Sequence, residues 1–258
     1  MQRKLATRVV LWGIVLGLAA TGYISYRNNR MDRLYAEAAG YPKYFRGDHE
    51  STDAVRKLAA YRGHRATALL VDVALGRVPL ELGGPQLEAI KELEKRNDLE
   101  VAPVLATILQ PHEGLNNRRA AAEALQHMPC NKECVGSILH YLERVWRGEP
   151  NYEDRFVYPP SFQDVPAKLR ENQQMVYDSL YRVLQREKVA TLTDLQEVYG
   201  LGSNSPSPFA LGLVSRLGLP EACILLEQSD QVIQRSSPRW YNAPRQELQA
   251  AIDELKCK

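Results

Sequence analysis

The stretch HMPCNKECVG holds two cysteines, Cys130 and Cys134, between two histidines, His127 and His140. These residue types can bind a metal ion, act as a redox pair or form a disulfide. A zinc site needs all its ligand atoms within about 2.0–2.3 Å of one point. On a helix over about residues 131–146, His140 lies roughly 120° around the axis from Cys134. Because these two side chains then face apart, the spacing disfavours a four-ligand metal site.

A redox pair needs a partly exposed, electropositive environment that lowers the pKa of one thiol. Lys132 provides positive charge, but the neighbouring Glu133 opposes it, so the redox signal is weak. Two free thiols, or a metal site with fewer protein ligands, stay open as alternatives. Whether these cysteines form a disulfide, remain free thiols or bind a metal depends on the compartment in which the chain folds, because disulfides persist mainly in exported proteins.

The N-terminal segment VVLWGIVLGLAATGYISY, residues 9–26, carries no charge over eighteen residues. As a helix it spans roughly 27 Å, close to the thickness of a bilayer's hydrocarbon core. Basic residues flank it on both sides, and aromatic residues stand near its ends, as interfacial anchors do. These residues are Arg3, Lys4, Arg8, Arg27, Arg30 and Arg33, with Trp12, Tyr23 and Tyr26. We therefore predict a basic cytoplasmic tail over residues 1–8 and a single transmembrane helix over residues 9–26.

Two alternatives compete with this anchor. One is a cleaved signal peptide, with a small-residue cleavage site around Ala20 and Gly22. The other is a buried helix of a soluble domain. The uncleaved signal-anchor is favoured because the apolar character continues beyond that site to Ile24 and Tyr26. We predict a single-pass membrane protein whose domain lies on the exported side, periplasmic or extracellular.

Beyond the anchor, the sequence predicts a juxtamembrane helix and linker over residues 27–49 and an all-α domain over residues 50–258. No segment of that domain alternates strictly between apolar and polar residues, as a half-buried strand does. Apolar residues instead recur at helical spacing. They include Leu87, Ile90, Leu93, Val101, Val104, Leu105, Ile108, Leu109, Val135, Ile138, Leu139, Leu142 and Val145.

The apolar pairs also repeat at a fixed period, which indicates stacked helical hairpins. The repeating sets are Val55 and Leu58 with Leu69 and Leu70, then Ile90 and Leu93 with Val104 and Leu105, then Leu125 with Ile138 and Leu139. Two segments within them, PQLEAIKELEKRNDLEVAPVLATIL and NNRRAAAEALQHM, resemble HEAT-type repeats over about residues 50–147. The resemblance implies a solenoid of helical hairpins that acts as a scaffold or binding surface.

After residue 147 the HEAT-like pattern is lost, although paired helices are predicted at about residues 166–187, 189–201, 206–217, 219–229 and 244–256. In a solenoid, each repeat contacts only its neighbours. Cys130 is then too far from Cys223 and Cys257 for the roughly 4.4–6.8 Å between bridged Cα atoms. For an exported domain we therefore predict two disulfides, Cys130 with Cys134 and Cys223 with Cys257.

A long irregular segment, RGEPNYEDRFVYPPSFQDVP, interrupts the helices at about residues 147–166. Loops of this length are usually either functional or disordered. Disordered segments are poor in aromatic residues, and this segment is rich in them, so disorder is disfavoured. The interpretation that the sequence favours is that these aromatics fold back and seal the repeat stack. The competing hypothesis is a protein-binding surface, because Tyr, Trp and Arg dominate binding hot spots. The predicted anchors are Tyr152, Arg155, Phe156, Tyr158 and Phe162, with Trp240 and Tyr241 from a second irregular stretch.

The sequence lacks the common catalytic signatures, including a nucleophile elbow, a phosphate-binding P-loop and a metalloprotease motif. We therefore expect no enzymatic activity, no cofactor and no small-molecule substrate. The near-neutral charge gives no footprint for nucleic acid. The predicted function is a membrane-tethered scaffold or adaptor that binds proteins. The alternative is a structural subunit of a larger membrane complex, in which small residues of the anchor allow close helix packing. These are Gly13, Gly17, Ala20 and Gly22.

Overall fold

The structure is a computed structural model that describes residues 21–78, 83–110, 114–148, 165–236 and 242–257. Helix α1 is described over residues 21–38. The further α-helices are α2 (Asp48–Ala59), α3 (His64–Ala74), α4 (Gly83–Arg96), α5 (Val101–Thr107), α6 (Leu115–His127), α7 (Lys132–Trp146), α8 (Val165–Arg186), α9 (Lys188–Glu197), α10 (Pro208–Leu217), α11 (Cys223–Ser236) and α12 (Asn242–Leu255). These ranges hold no strand, so the predicted all-α class is confirmed for the described residues.

Helix α7 illustrates how the sequence sets a helix and its buried face. It begins after Asn131, whose side-chain oxygen accepts a hydrogen bond of 3.0 Å from the backbone N–H of Cys134. This N-cap contact satisfies one of the donors that the first turn leaves open. Apolar residues spaced by three and four positions then form one buried stripe. The stripe consists of Val135, Ile138, Leu139 and Leu142.

The chain divides into two compact units, Met1–Leu93 and Glu94–Lys258. In the first, α1 buries Met31, Leu34 and Ala38 along one face. Two arginine contacts fix its outer face. Arg65 of α3 donates to Asp32 at 2.6 Å, and Arg27 donates to the carbonyl of Arg62 at 2.9 Å. These contacts hold α1 in a defined position on the first unit.

In the second unit, most of the extensive helix contacts join alternate helices along the chain, although consecutive helices such as α5 and α6, or α11 and α12, also pack together. One row contains α5, α7 and α9, and the other contains α6, α8, α10 and α12. The packing of α6 on α8 is the most extensive. There Arg186 of α8 donates to the carbonyl oxygen of Met128 at 2.6 Å, beyond the end of α6. A cation at a helix C-terminus also complements the helix dipole. Stacking therefore continues from α6 and α7 to α8 and α9, on both sides of residues 149–164.

None of the helices among the described residues is long and apolar enough to cross a membrane. The predicted transmembrane segment lies mostly outside those residues, since its first twelve positions, 9–20, precede the described part of α1. Residues 21–26 continue into α1. There Tyr23, Ile24 and Tyr26 are exposed.

Candidate protein-docking groove

The four cysteines form two disulfides in the pairing that the sequence predicted. Cys130 is bonded to Cys134 and Cys223 to Cys257, and both pairs have a Cα–Cα distance of 5.4 Å. The sulfur atoms of the HMPCNKECVG segment are therefore neither free thiols nor metal ligands here. His127 and His140 are exposed, whereas the first cysteine pair is buried. In the described part of the chain, no three His, Cys, Asp or Glu side chains are grouped to hold a metal ion.

The Cys223–Cys257 disulfide supports a groove in the second unit. It joins the first residue of α11 to the residue two positions beyond α12. Helix α12 packs on both α10 and α11. Because the bond holds the C-terminal end of α12, it also fixes the face that α12 turns toward α10. That face forms one wall of the groove.

Aromatic side chains of α7, α8 and α10 line the other part of the groove. Trp146, at the end of α7, is 57% exposed, although it follows directly on the buried stripe of that helix. Its ring lies 6.2 Å from the ring of Phe209, which is only 4% exposed. The ring of Tyr199 also packs against Phe209, with the ring centroids 5.2 Å apart. Phe209 thus belongs to the core and supports the exposed indole.

Arg216 of α10 forms the charged rim of this groove. Its guanidinium carbon lies 4.5 Å from the centre of the Tyr181 ring on α8, which is cation–π geometry. Burial raises the pKa of Tyr181, and the nearby Arg216 charge partly opposes that rise. One turn earlier on α8, burial likewise raises the pKa of Tyr177, whose hydroxyl accepts a 2.7 Å hydrogen bond from Gln173. Both phenols therefore stay neutral at physiological pH, and both residues line the groove.

Gly212 leaves the middle of the groove open. A Cβ atom built on this glycine would have no heavy atom within 4 Å beyond its local surroundings. Two hollows share Trp146, Gly212 and Arg216, so they are parts of one groove. The aromatic hollow, between α7, α8 and α10, has a volume of about 340 Å³, and the hollow between α10 and α12 has about 540 Å³.

Acidic residues line the α12 wall. Glu247 and Glu254 are seven positions apart and so lie on one face of that helix. Both are exposed, and neither forms an ion pair with another described residue. The groove thus combines an aromatic floor, a cationic rim and two carboxylates with no cationic partner among the described residues.

No protein-family model, curated protein or solved structure matches this chain.

The residues that the sequence predicted as partner anchors lie outside the described residues. They are Tyr152, Arg155, Phe156, Tyr158, Phe162, Trp240 and Tyr241. Their role stays a prediction. The groove residues Trp146, Tyr181, Phe209 and Arg216 were not singled out from the sequence. One available signal was Gly212, since a glycine inside an apolar helix costs about 0.5–1 kcal/mol relative to alanine and often marks a close approach or an open site.

A second electrostatic cluster joins α7 to α9. Lys132 Nζ lies 2.6 Å from a carboxylate oxygen of Glu197 and 3.8 Å from one of Asp194. Asp194 is buried, and burial raises the pKa of its carboxyl, an effect that Lys132 partly offsets. A Cβ atom at Gly136 of α7 would lie 3.0 Å from Asp194 Oδ2, so the glycine permits this close packing. The cluster links two neighbouring helices.

Proposed function

We propose that this protein is a membrane-tethered helical-repeat scaffold that binds other proteins through the groove between α7, α8, α10 and α12, without catalysing a reaction. The observation that carries the proposal is the exposed Trp146 indole beside the Arg216–Tyr181 pair. Trp, Tyr and Arg are the residues most enriched in binding hot spots. A large aromatic left outside the core at a concave site is typical of an interaction surface.

The groove's chemistry favours one kind of occupant. An apolar side chain of the partner fits over Gly212 and against Trp146, in space that the side chains of the described residues leave open. A basic side chain nearby would meet Glu247 and Glu254. The proposed partner segment is therefore apolar with a flanking Lys or Arg, presented by a different protein.

The tether and the repeat architecture belong to the same proposal. Residues 9–26 serve as an uncleaved signal-anchor, and the domain lies on the exported side. Two disulfides are compatible with an oxidising compartment. The alternate-helix packing of α5 to α10 is the arrangement expected of stacked hairpins, which supports the HEAT-like interpretation.

Gly212 offers a direct test. Because space is open above it, Gly212→Phe should fill the groove without disturbing the core, and Gly212→Ala is the matched control that leaves the groove nearly open. Both variants and the wild type are affinity-purified from membranes, and recovered proteins are quantified by mass spectrometry. A partner bound through the groove is recovered with the wild type and Gly212→Ala and lost with Gly212→Phe.

If the wild type, Gly212→Ala and Gly212→Phe have equal thermal stability and recover every partner protein equally, the groove is not the binding site. The size of the native protein in a mild detergent extract distinguishes the proposed tethered scaffold from the alternative, a structural subunit of a larger membrane complex. A stable large complex, unaffected by Gly212→Phe, favours a structural subunit whose anchor packs among other membrane helices.

A further inference from the structure

A basic hollow in the first unit lies immediately beyond the predicted anchor. It is lined by residues of α1 and by one residue of α2, and its volume is about 480 Å³. These residues are Tyr26, Asn29, Arg30, Arg33, Leu34 and Glu37 of α1 and Lys57 of α2. The α1 residues are spaced by three and four positions and so form one stripe along the helix. The hollow therefore presents three cations, one carboxylate and neutral hydrogen-bond donors to a single ligand, with a net positive charge.

Two of these cations have no carboxylate partner in the part of the chain that the structure describes. Arg33 is paired with Glu37 at 3.3 Å, which accounts for one positive charge. Arg30 and Lys57 are exposed and form no ion pair within the described residues. The amide of Asn29 and the hydroxyl of Tyr26 add neutral donors. This donor set matches a singly charged phosphate diester, which offers acceptor oxygens and one negative charge.

The position of the hollow along α1 selects a membrane source for that phosphate. Tyr23, Ile24 and Tyr26 are 66%, 55% and 62% exposed on the turns of α1 that lead into the hollow, and Tyr26 also lines it. Exposed tyrosines of this kind are typical of the boundary between hydrocarbon and headgroups. Arg30 lies four residues after Tyr26, roughly 6 Å along the helix axis. That distance is comparable to the headgroup layer, about 5–7 Å deep on each side.

The hollow is also held in place before any ligand binds. Leu34 packs α1 onto the first unit, and the Arg65–Asp32 pair at 2.6 Å fixes the helix from the side. The hydroxyl of Ser51 donates a 2.8 Å hydrogen bond to the carbonyl of Glu37, which joins α2 to α1. Lys57 on α2 and Arg30 on α1 are thus positioned by separate elements, and little ordering is needed on binding.

We infer that this hollow, named here the α1–α2 pocket, binds the headgroup phosphate of an anionic phospholipid in the membrane that anchors the chain. The inference rests on the proposed anchor. It holds for either topology, because both leaflets present phosphate at this depth. The pocket orients the first unit on the bilayer, since the ligand is fixed in the membrane plane and the cations are fixed on α1 and α2.

The test uses the full chain in detergent and native mass spectrometry. Phosphatidylglycerol and phosphatidylcholine with identical acyl chains are titrated separately, and inorganic phosphate is titrated in a third arm. The site variant is Arg30→Gln with Lys57→Gln. The control variant, Lys91→Gln with Lys256→Gln, removes the same charge from exposed positions outside the pocket.

The wild type and the control variant should bind phosphatidylglycerol at least tenfold more tightly than phosphatidylcholine, and the site variant should lose that preference, because a basic residue near an anionic surface contributes about five- to tenfold in affinity. Equal affinity of the wild type for both lipids, or equal loss in both variants, overturns the inference. Saturation by inorganic phosphate alone identifies a free-anion site and overturns the lipid assignment.

Failure of the anchor has a different signature. If residues 9–26 do not hold the chain in membranes, detergent phase separation places the full chain in the aqueous phase. The pocket is then tested by flotation with phosphatidylglycerol vesicles. Loss of flotation in the site variant but not in the control supports the pocket without the anchor, and no flotation of the wild type rejects both.

Discussion

Arg216 and Tyr181 bring together two helices that lie side by side, with the guanidinium carbon of one 4.5 Å from the ring centre of the other. Tyr181 belongs to α8 and Arg216 to α10, so the pair joins neighbouring members of one row of helices. It also holds the arginine against a wall of the groove that Arg216 lines.

This pair should be energetically coupled. In a double-mutant cycle with Arg216→Ala and Tyr181→Leu, we expect a coupling of about 0.5–1 kcal/mol in the free energy of unfolding, the range for exposed cation–π pairs. Tyr181→Phe is the control that keeps the ring and should retain the coupling. Urea unfolding measures all the variants. Additive effects in the Leu cycle would show that the contact contributes no stability.

Trp146 and Phe209 pack against each other, yet truncation of Trp146 should mainly affect partner binding, whereas truncation of Phe209 should mainly affect stability. Trp146→Ala removes a side chain that is largely outside the core, so stability should change by less than about 1 kcal/mol while partner recovery falls. Phe209→Ala empties a buried site and should cost about 3–5 kcal/mol. Thermal unfolding and partner recovery are measured on both variants. A large loss of stability in Trp146→Ala would assign the indole to the core.

The Cys223–Cys257 disulfide should stabilise the fold more than the Cys130–Cys134 disulfide does. Its sequence separation of 34 residues predicts about 3–4 kcal/mol in the chain-entropy model, whereas a separation of 4 predicts about 2 kcal/mol. Paired Cys→Ser variants of each bond, unfolded in urea without reductant, test this order. Equal effects of the two removals would show that the native contacts around each bond outweigh loop closure.

Asp194 should make the protein less stable as pH rises through the acid range. Burial raises the pKa of its carboxyl in the folded state above the ordinary value of 3.8, so the folded protein binds the proton more tightly than the unfolded chain. The resulting stabilisation is complete below pH 3.8 and is lost as pH rises through the folded-state pKa. We expect the unfolding free energy of the wild type, relative to Asp194→Asn, to decrease between about pH 3 and pH 7.

Glu221 provides a control of opposite sign for that measurement. Its hydrogen bond with Lys188 lowers the pKa of its carboxyl below 4.5, so its contribution is present above pH 4.5 and is lost as pH falls through the folded-state pKa. Relative to Glu221→Gln, the wild type should therefore gain stability as pH rises. If both comparisons slope the same way, the assigned pKa direction of one residue is wrong.

The sequence was sufficient for features set by local spacing. The predicted helix at 131–146 corresponds to α7, because a capping residue, Asn131, precedes a regular apolar stripe. The disulfide pairing followed because distance along a helical stack leaves few options for Cys130. Both features depend on neighbours in the chain or on an architecture that periodicity reveals.

The groove could not be predicted in this way. Trp146 continues an apolar stripe, and the pattern alone would place it in the core, yet it is exposed where α7 ends. Its neighbours Tyr181 and Arg216 come from helices far along the chain, and periodicity does not say which faces meet. The burial of Asp194 could not be predicted for the same reason: it depends on a residue of another helix, Gly136, whose lack of a side chain permits the close packing.

The bond between Cys223 and Cys257 also changes how the chain transmits force. Tension applied at the last residues would pass through the covalent bridge and bypass α11 and α12, since the two cysteines enclose both helices. An extended stretch of 34 residues measures roughly 110 Å. Reduction of the bridge should therefore lengthen the loaded chain by up to that length.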